Sequence, residues 1–194
     1  MRRCKVHLES MSPYSQSAMH NTPKLDRESA EDHDIRTWRN HCTTNDKGEV
    51  EIPNMAFKQS IDTAAFKLGI KVPGRRTTFK SFFASGFICE SNVPLMNGAG
   101  LWKPEDAVLV IISANPEGKR GGGKRVPRRY PVFNKWHGIA YFTILDDIIT
   151  QDIFELHVKV AGTLVGIGRF RPEVGGINGR FRPTKFEWED IRID

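Results

Sequence analysis

Helical patterns set among alternating apolar strands predict an α+β fold, ferredoxin-like (RRM-like) in its βαββαβ order, with long loop insertions. Three observations point to it. The chain opens and closes on segments with strand alternation, KVHLES (5–10) and KFEWEDIRI (185–193). Two stretches, 51–68 and the one after Thr150, repeat apolar residues at helical spacing. Between the helices lie two strongly apolar runs, AVLVIIS (107–113) and WHGIAYFTILDD (136–147).

Each element has its own signal. Val6 and Leu8 alternate with polar residues, as in a half-buried strand. From Met11 to Lys47 that pattern dissolves into Ser, Asn, Asp and His, and the stretch reads as a long excursion with little core. Pro53 suits a first helical turn, Met55, Phe57, Ile61, Ala64, Ala65 and Leu68 supply an apolar face, and Gly69 stops the helix. A short helix and a strand at 86–90 follow a basic turn. AVLVIIS reads as the strongest buried strand. Thr150 reads as an N-cap, and Ile153, Leu156, Val160 and Leu164 as the face of the second helix. Phe186, Trp188 and Ile191 are the expected core residues of the last strand. The whole reads as one domain over 1–194, with insertions at about 11–47 and 115–131.

Composition narrows the class. Of 194 residues, 39% are hydrophobic and 27% charged, as in a folded soluble chain. No apolar run is long enough for a bilayer and no signal peptide is evident, so no membrane partner and a cytoplasmic location are expected. Three widely spaced cysteines, Cys4, Cys42 and Cys89, fit free thiols, with neither zinc spacing nor any cofactor implied.

The net charge is +6, but its placement says more. KRGGGKRVPRR (119–129) holds Lys119, Arg120, Lys124, Arg125, Arg128 and Arg129 with no acid. GIGRFRPEVGGINGRF (166–181) carries five glycines and three arginines, while DRESAEDHD (26–34) is acidic. Basic loops of this kind suit a polyanion.

Enzyme signatures are weak. Gly118 to Lys124 has phosphate-loop spacing, but Arg125 stands where Ser or Thr must hold magnesium and Pro127 follows at once. There is no Gly-x-Ser-x-Gly elbow. Of six histidines, none has a partner at a diagnostic spacing; His157 reads as a surface or boundary residue. The 166–181 glycines lie between a helix and a strand, the wrong order for a dinucleotide fingerprint. There they let backbones approach closely, with arginine forks for phosphates alongside.

In three segments, taken in order, the sequence resembles the CRISPR RAMP superfamily. LESMSPYSQS (8–17) is similar to its Leu-x-x-x-x-Pro strand end. EIPNMAFKQSI (51–61) resembles its Ile-Pro-Gly-Ser-Ser-Leu-Lys-Gly segment, with Ile52, Pro53, Phe57 and Lys58 in register and Asn54, Met55, Ala56 and Gln59 departing. GTLVGIGRFRPEVGGINGRF (162–181) resembles its carboxy-terminal glycine-rich loop.

The resemblance is to the small backbone subunits that coat a guide RNA. It implies binding of single-stranded RNA, with DNA as the alternative, by a protein assembled helically with copies of itself and with other effector subunits. The implied nucleic-acid contacts are Lys58, Lys119, Arg120, Lys124, Arg125, Arg128, Arg129, Gly166, Gly168, Arg169, Arg171 and Arg180, made mostly to phosphate. A bulky residue at Gly168 is expected to cut binding more than stability. A non-enzymatic role is expected. Its rivals are a metal- or histidine-dependent ribonuclease, a phage single-strand DNA-binding or recombination protein, and a protein-binding mimic of a backbone subunit. For the nuclease the resemblance offers Asp26, Asp32 and Asp34 in the loop after the first strand, or His20 and His33.

Overall fold

The alternation of Cys4, Val6 and Leu8, all buried, places one face of the first strand on the core. That strand is longer than its apolar signal, because Arg2 and Arg3 continue the pairing. The computed structural model describes residues 1–114 and 125–191. In its first half the elements are β1 (Arg2–Ser10), β2 (Tyr14–Ser15), α1 (Ala30–Thr37), β3 (Glu51–Ile52), α2 (Asn54–Leu68), α3 (Lys80–Ser85), β4 (Phe87–Cys89) and β5 (Val93–Pro94). Then follow β6 (Met96–Asn97), β7 (Gly100–Leu101), β8 (Val108–Ala114), β9 (Val126–Phe133), β10 (His137–Ile144), α4 (Gln151–Val160) and β11 (Phe181–Asp190).

β1 lies at the centre of the main sheet, antiparallel to β10 on one side and β11 on the other. The far edge of β10 pairs with β4 at Phe142–Ile144 and with β6 at His137, and β7 completes the sheet beyond β6. α2 buries Phe57, Ile61, Ala64 and Ala65, and α4 buries Phe154, His157 and Val158. Aromatic edges join these helices to the sheet: Phe57 meets Phe181 at 5.6 Å and Phe154 meets Phe142 at 5.3 Å. The fold is α+β, helices on an antiparallel sheet.

A second, smaller sheet runs β2–β9–β8. Here the structure corrects the sequence. AVLVIIS is a strand, but not a buried one: Val108, Leu109 and Ile111 are 46%, 40% and 55% exposed. β8 is the outer strand beside β9, and no helix among the described residues lies on it, so an apolar run that usually signals burial on both faces stays open.

Two further corrections concern α4 and the excursion. Of the expected face of α4, Ile153 and Val160 pack against the core, but Leu156 and Leu164 are 40% and 59% exposed, and the fully buried residues are Phe154, His157 and Val158. Both sets recur at helical spacing, but only this one puts the Phe154 ring on the sheet. His157 is fully buried, stacked on Phe83 at 4.2 Å, with Nδ1 2.6 Å from the Ile153 carbonyl. The 11–47 stretch contributes Tyr14, Trp38 and Cys42 to the hydrophobic core of the domain. Within it Ser29 caps α1, its hydroxyl accepting from the Asp32 N–H.

The three cysteines are buried and unpaired, and burial pushes each thiol up to about 12. No helix among the described residues is long and apolar enough to cross a membrane.

Candidate nucleic-acid interface

The glycine-rich segment begins where α4 runs into a π turn at Ala161–Val165. It then folds back on itself rather than hanging free. Ile167 N–H donates to Gly179 O at 2.9 Å and Asn178 N–H to Phe170 O at 2.9 Å. Arg169 N–H donates to Ser15 O and Gly179 N–H to Pro13 O, both at 2.7 Å, which fastens the loop to the chain around β2. Gly168 and Gly179 have φ of +72° and +71°, and a Cβ at either would overlap a backbone oxygen, Ser15 O or Ile167 O respectively. The close approach that glycine permits at Gly168 is therefore to the protein's own backbone.

Between this loop and the first turns of α2 runs a cleft of about 470 Å³. Met55, Gln59 and Thr63 line the helix side; Gly166, Gly168 and Arg171 line the loop side. The structure thus brings together two segments separated by about a hundred residues of sequence. Arg171 is half-buried at the rim; its Nε donates to Glu173 at 2.7 Å and its Nη1 to Gly168 O at 3.3 Å. Gly166 packs against Pro172 beneath the cleft.

The other expected contacts are distributed differently. Lys58, on α2, bonds both Asp62 oxygens and the carbonyls of Phe83 and Ala84, and its ammonium lies 4.4 Å from the centre of the Phe87 ring. Its charge is spent on fastening α2 to α3, and burial raises the Asp62 carboxyl above its usual range against the pull of that lysine. Arg180 turns its Nε to the Thr163 carbonyl. Arg129 is buried against Asp34, with Glu31 3.5 Å away, and Arg128 lies 3.6 Å from Asp34. Arg125 is exposed at the foot of β9. Lys119, Arg120 and Lys124 lie outside the described residues.

The acidic candidates do not converge. Asp26 is exposed beside Arg27, Asp32 accepts from the Ser29 hydroxyl at 2.6 Å, and Asp34 is the buried counter-ion of Arg129. His20 and His33 do meet, with ring centroids 6.1 Å apart, and His41 joins them at 4.7 Å from His20. His41 and the neighbouring Tyr130 carried no spacing signal; only the fold of the excursion against β9 brings them here. Arg169 lies 3.9 Å over the Tyr130 ring and donates to its hydroxyl at 2.6 Å.

With the fold and cleft in place, the class is one of fold: an α+β domain whose fold is shared with two solved structures. Cmr6 from Pyrococcus furiosus is similar at a TM-score of 0.50 and 13% identity, over 94% of this chain and 98% of that one. A chain in the cryo-EM structure of the type III-B Cmr-beta bound to cognate target RNA is similar at a TM-score of 0.51 and 12% identity, over 96% of this chain. The present chain spans 60% of that one. At these identities the likeness is one of fold. No protein-family model matches the sequence, and no curated protein matches it either.

Proposed function

We propose that the chain is a non-enzymatic, single-stranded RNA-binding subunit of a CRISPR-type ribonucleoprotein. It coats its RNA as a backbone-type protein, alongside copies of itself and other effector subunits, in the cytoplasm. The observation that carries this reading is the cleft joining α2 to the glycine-rich loop. It pairs the two segments in which the sequence resembles RNA-binding subunits, with an arginine at its rim.

The fold supports the reading from a second side. The pairing of β1 with β11 and β10, and of β10 with β4, together with helices α2 and α4, supports reading the domain as ferredoxin-like. The similar Cmr-beta was solved with target RNA bound. The open apolar residues of β8 suit contact with a neighbouring copy. In the cleft, RNA would run past Arg171, and Arg125 at the foot of β9 would hold it from the second sheet. The nuclease alternative draws less support, since Asp32 and Asp34 are engaged in capping and ion pairing.

Native purification followed by sequencing of the copurifying nucleic acid tests the reading. Single-stranded RNA of varied sequence is the expected result, with matched DNA oligomers binding more weakly. Protein that carries none and binds neither oligomer would overturn it in favour of a protein-binding mimic.

A further inference from the structure

The excursion assembles three imidazoles away from the cleft, and their hydrogen bonds show which ring nitrogens are left over. His41 Nδ1 lies 2.8 Å from the Ala18 carbonyl and His33 Nε2 lies 2.9 Å from the Thr22 carbonyl, so each of these nitrogens carries a proton and donates. His20 Nδ1 accepts from the Thr22 N–H at 3.4 Å, which puts its proton on Nε2. The leftover groups are therefore the basic His41 Nε2, the basic His33 Nδ1 and the donor His20 Nε2–H. All three rings are partly exposed.

The neighbouring charge is Arg169. Tyr130 touches both parties: the guanidinium sits 3.9 Å over its ring, and the His41 ring is 6.2 Å away. Arg169 spends Nη1 and Nη2 on hydroxyls, Ser17 at 3.2 Å and Tyr130 at 2.6 Å, while its buried Nε has no partner. No carboxylate among the described residues pairs with it. Nearby arginines differ: Arg36 holds Glu28, and Arg128 and Arg129 share Asp34, with Glu31 also on Arg129. Of the acids of α1, Glu31 and Asp34 are thus engaged by arginines and Asp32 accepts from the Ser29 hydroxyl, while Arg169 brings the cluster a charge that no ion pair among the described residues offsets. Burial, then the facing His41 and His33, pull the His20 imidazole below its usual value, with only Asp34 opposing.

A metal is the wrong ligand for this site. No group of three or more His, Cys, Asp and Glu among the described residues is arranged to hold one. An oxyanion fits better. Because the Tyr130 oxygen accepts from Arg169, its hydrogen remains to be donated, and protonated His20 and His41 would add charged donors beside it.

We propose that His20 and His41, with Arg169 and Tyr130, form a second phosphate site that takes a backbone phosphate of single-stranded RNA when the imidazoles are protonated. The inference rests on the RNA-binding reading and adds to it a site and a regulation: the grip on RNA tightens in acid. By linkage, bound phosphate holds the protons on the imidazoles as firmly as the protons hold the phosphate.

The test is an anisotropy titration of a labelled uridine oligomer at about pH 6 and about pH 8, either side of the usual histidine value. Wild type is expected to bind about tenfold tighter at the lower pH, as two charge-assisted hydrogen bonds at a partly exposed site would give, and His20→Gln/His41→Gln less than about threefold. In wild type, the His20 and His41 Cε1–H resonances should titrate at higher pH with the oligomer present. An equal pH ratio in both proteins, or imidazole titrations that RNA does not move, overturns the site while RNA binding itself stands. No RNA bound at either pH removes the RNA reading, and this site with it.

Discussion

Arg129 Nη1 donates to Asp34 Oδ2 at 3.1 Å, and both side chains are nearly sealed from solvent, at 11% and 7% exposure. This pair locks β9 to α1 of the long excursion. Two insertions far apart in sequence thereby become one body. It also assigns the acidic segment a role, since Asp34 is the buried counter-ion of Arg129 and lies 3.6 Å from Arg128.

Breaking one side of that pair leaves a buried charge without its partner. Asp34→Asn is expected to cost roughly 3 kcal/mol, read as a lower urea midpoint. Asp34→Asn/Arg129→Gln should lose less than the sum of the two single changes, because the stranded charge is gone. Strict additivity would mean the pair contributes nothing to stability.

The glycines of the loop separate close packing from backbone conformation. Gly168 has positive φ and no room for a Cβ, whereas Gly175, at φ +82°, has open space around it. Gly168→Val should therefore destabilise the fold by several kcal/mol, beyond the roughly 1–3 kcal/mol of left-handed strain alone, while Gly175→Ala pays only about 1 kcal/mol. Thermal melts of the two variants check this. It reverses the expectation that Gly168 matters more for binding than for stability.

What the sequence revealed and what it hid follow from the range of the interactions. Periodicity located β1, α2, β10 and β11 because each buries one face against a neighbour, and alternation or helical spacing records that directly. It misread β8, since an apolar run says nothing about whether a second layer exists to cover it. It read α4 only in part: Ile153 and Val160 do pack against the core, but Leu156 and Leu164 face out and Phe154, His157 and Val158 form the most buried face, a choice that only contact with the sheet makes. Lys58 showed its position but not its partners, Asp62 and the carbonyls of Phe83 and Ala84. The cleft was legible as two segments, its closure was not; the Tyr130–His41 contact depends wholly on the excursion folding against β9.

Burial of His157 should make the protein sensitive to acid. Burial pulls the imidazole below its usual value, with only the Ile153 carbonyl favouring the proton. The folded state thus binds fewer protons than the unfolded one as pH falls past about 6.5, so this contribution is intact above that pH and shrinks below it. His157→Phe keeps the stacking on Phe83 and removes the titration. Denaturation at a series of pH values should show the variant gaining on wild type between about pH 6.5 and pH 5; a constant difference would exclude His157 as the cause.

Arg171 and Glu173 make opposing predictions for the cleft. The arginine stands at its rim but gives its Nε to the Glu173 carboxylate at 2.7 Å, so an RNA phosphate must compete with that acid. Glu173→Gln removes the competitor and should tighten RNA binding about three- to fivefold at low salt, the value of a partly exposed ion pair. Arg171→Ala should weaken binding and reduce the slope of log affinity against log salt by about 0.7, the counterion share of one single-strand phosphate contact. The two changes act on one contact, so in Arg171→Ala protein the Glu173→Gln gain should disappear. If the gain persists without Arg171, the acid repels RNA directly and the phosphate does not sit on this arginine.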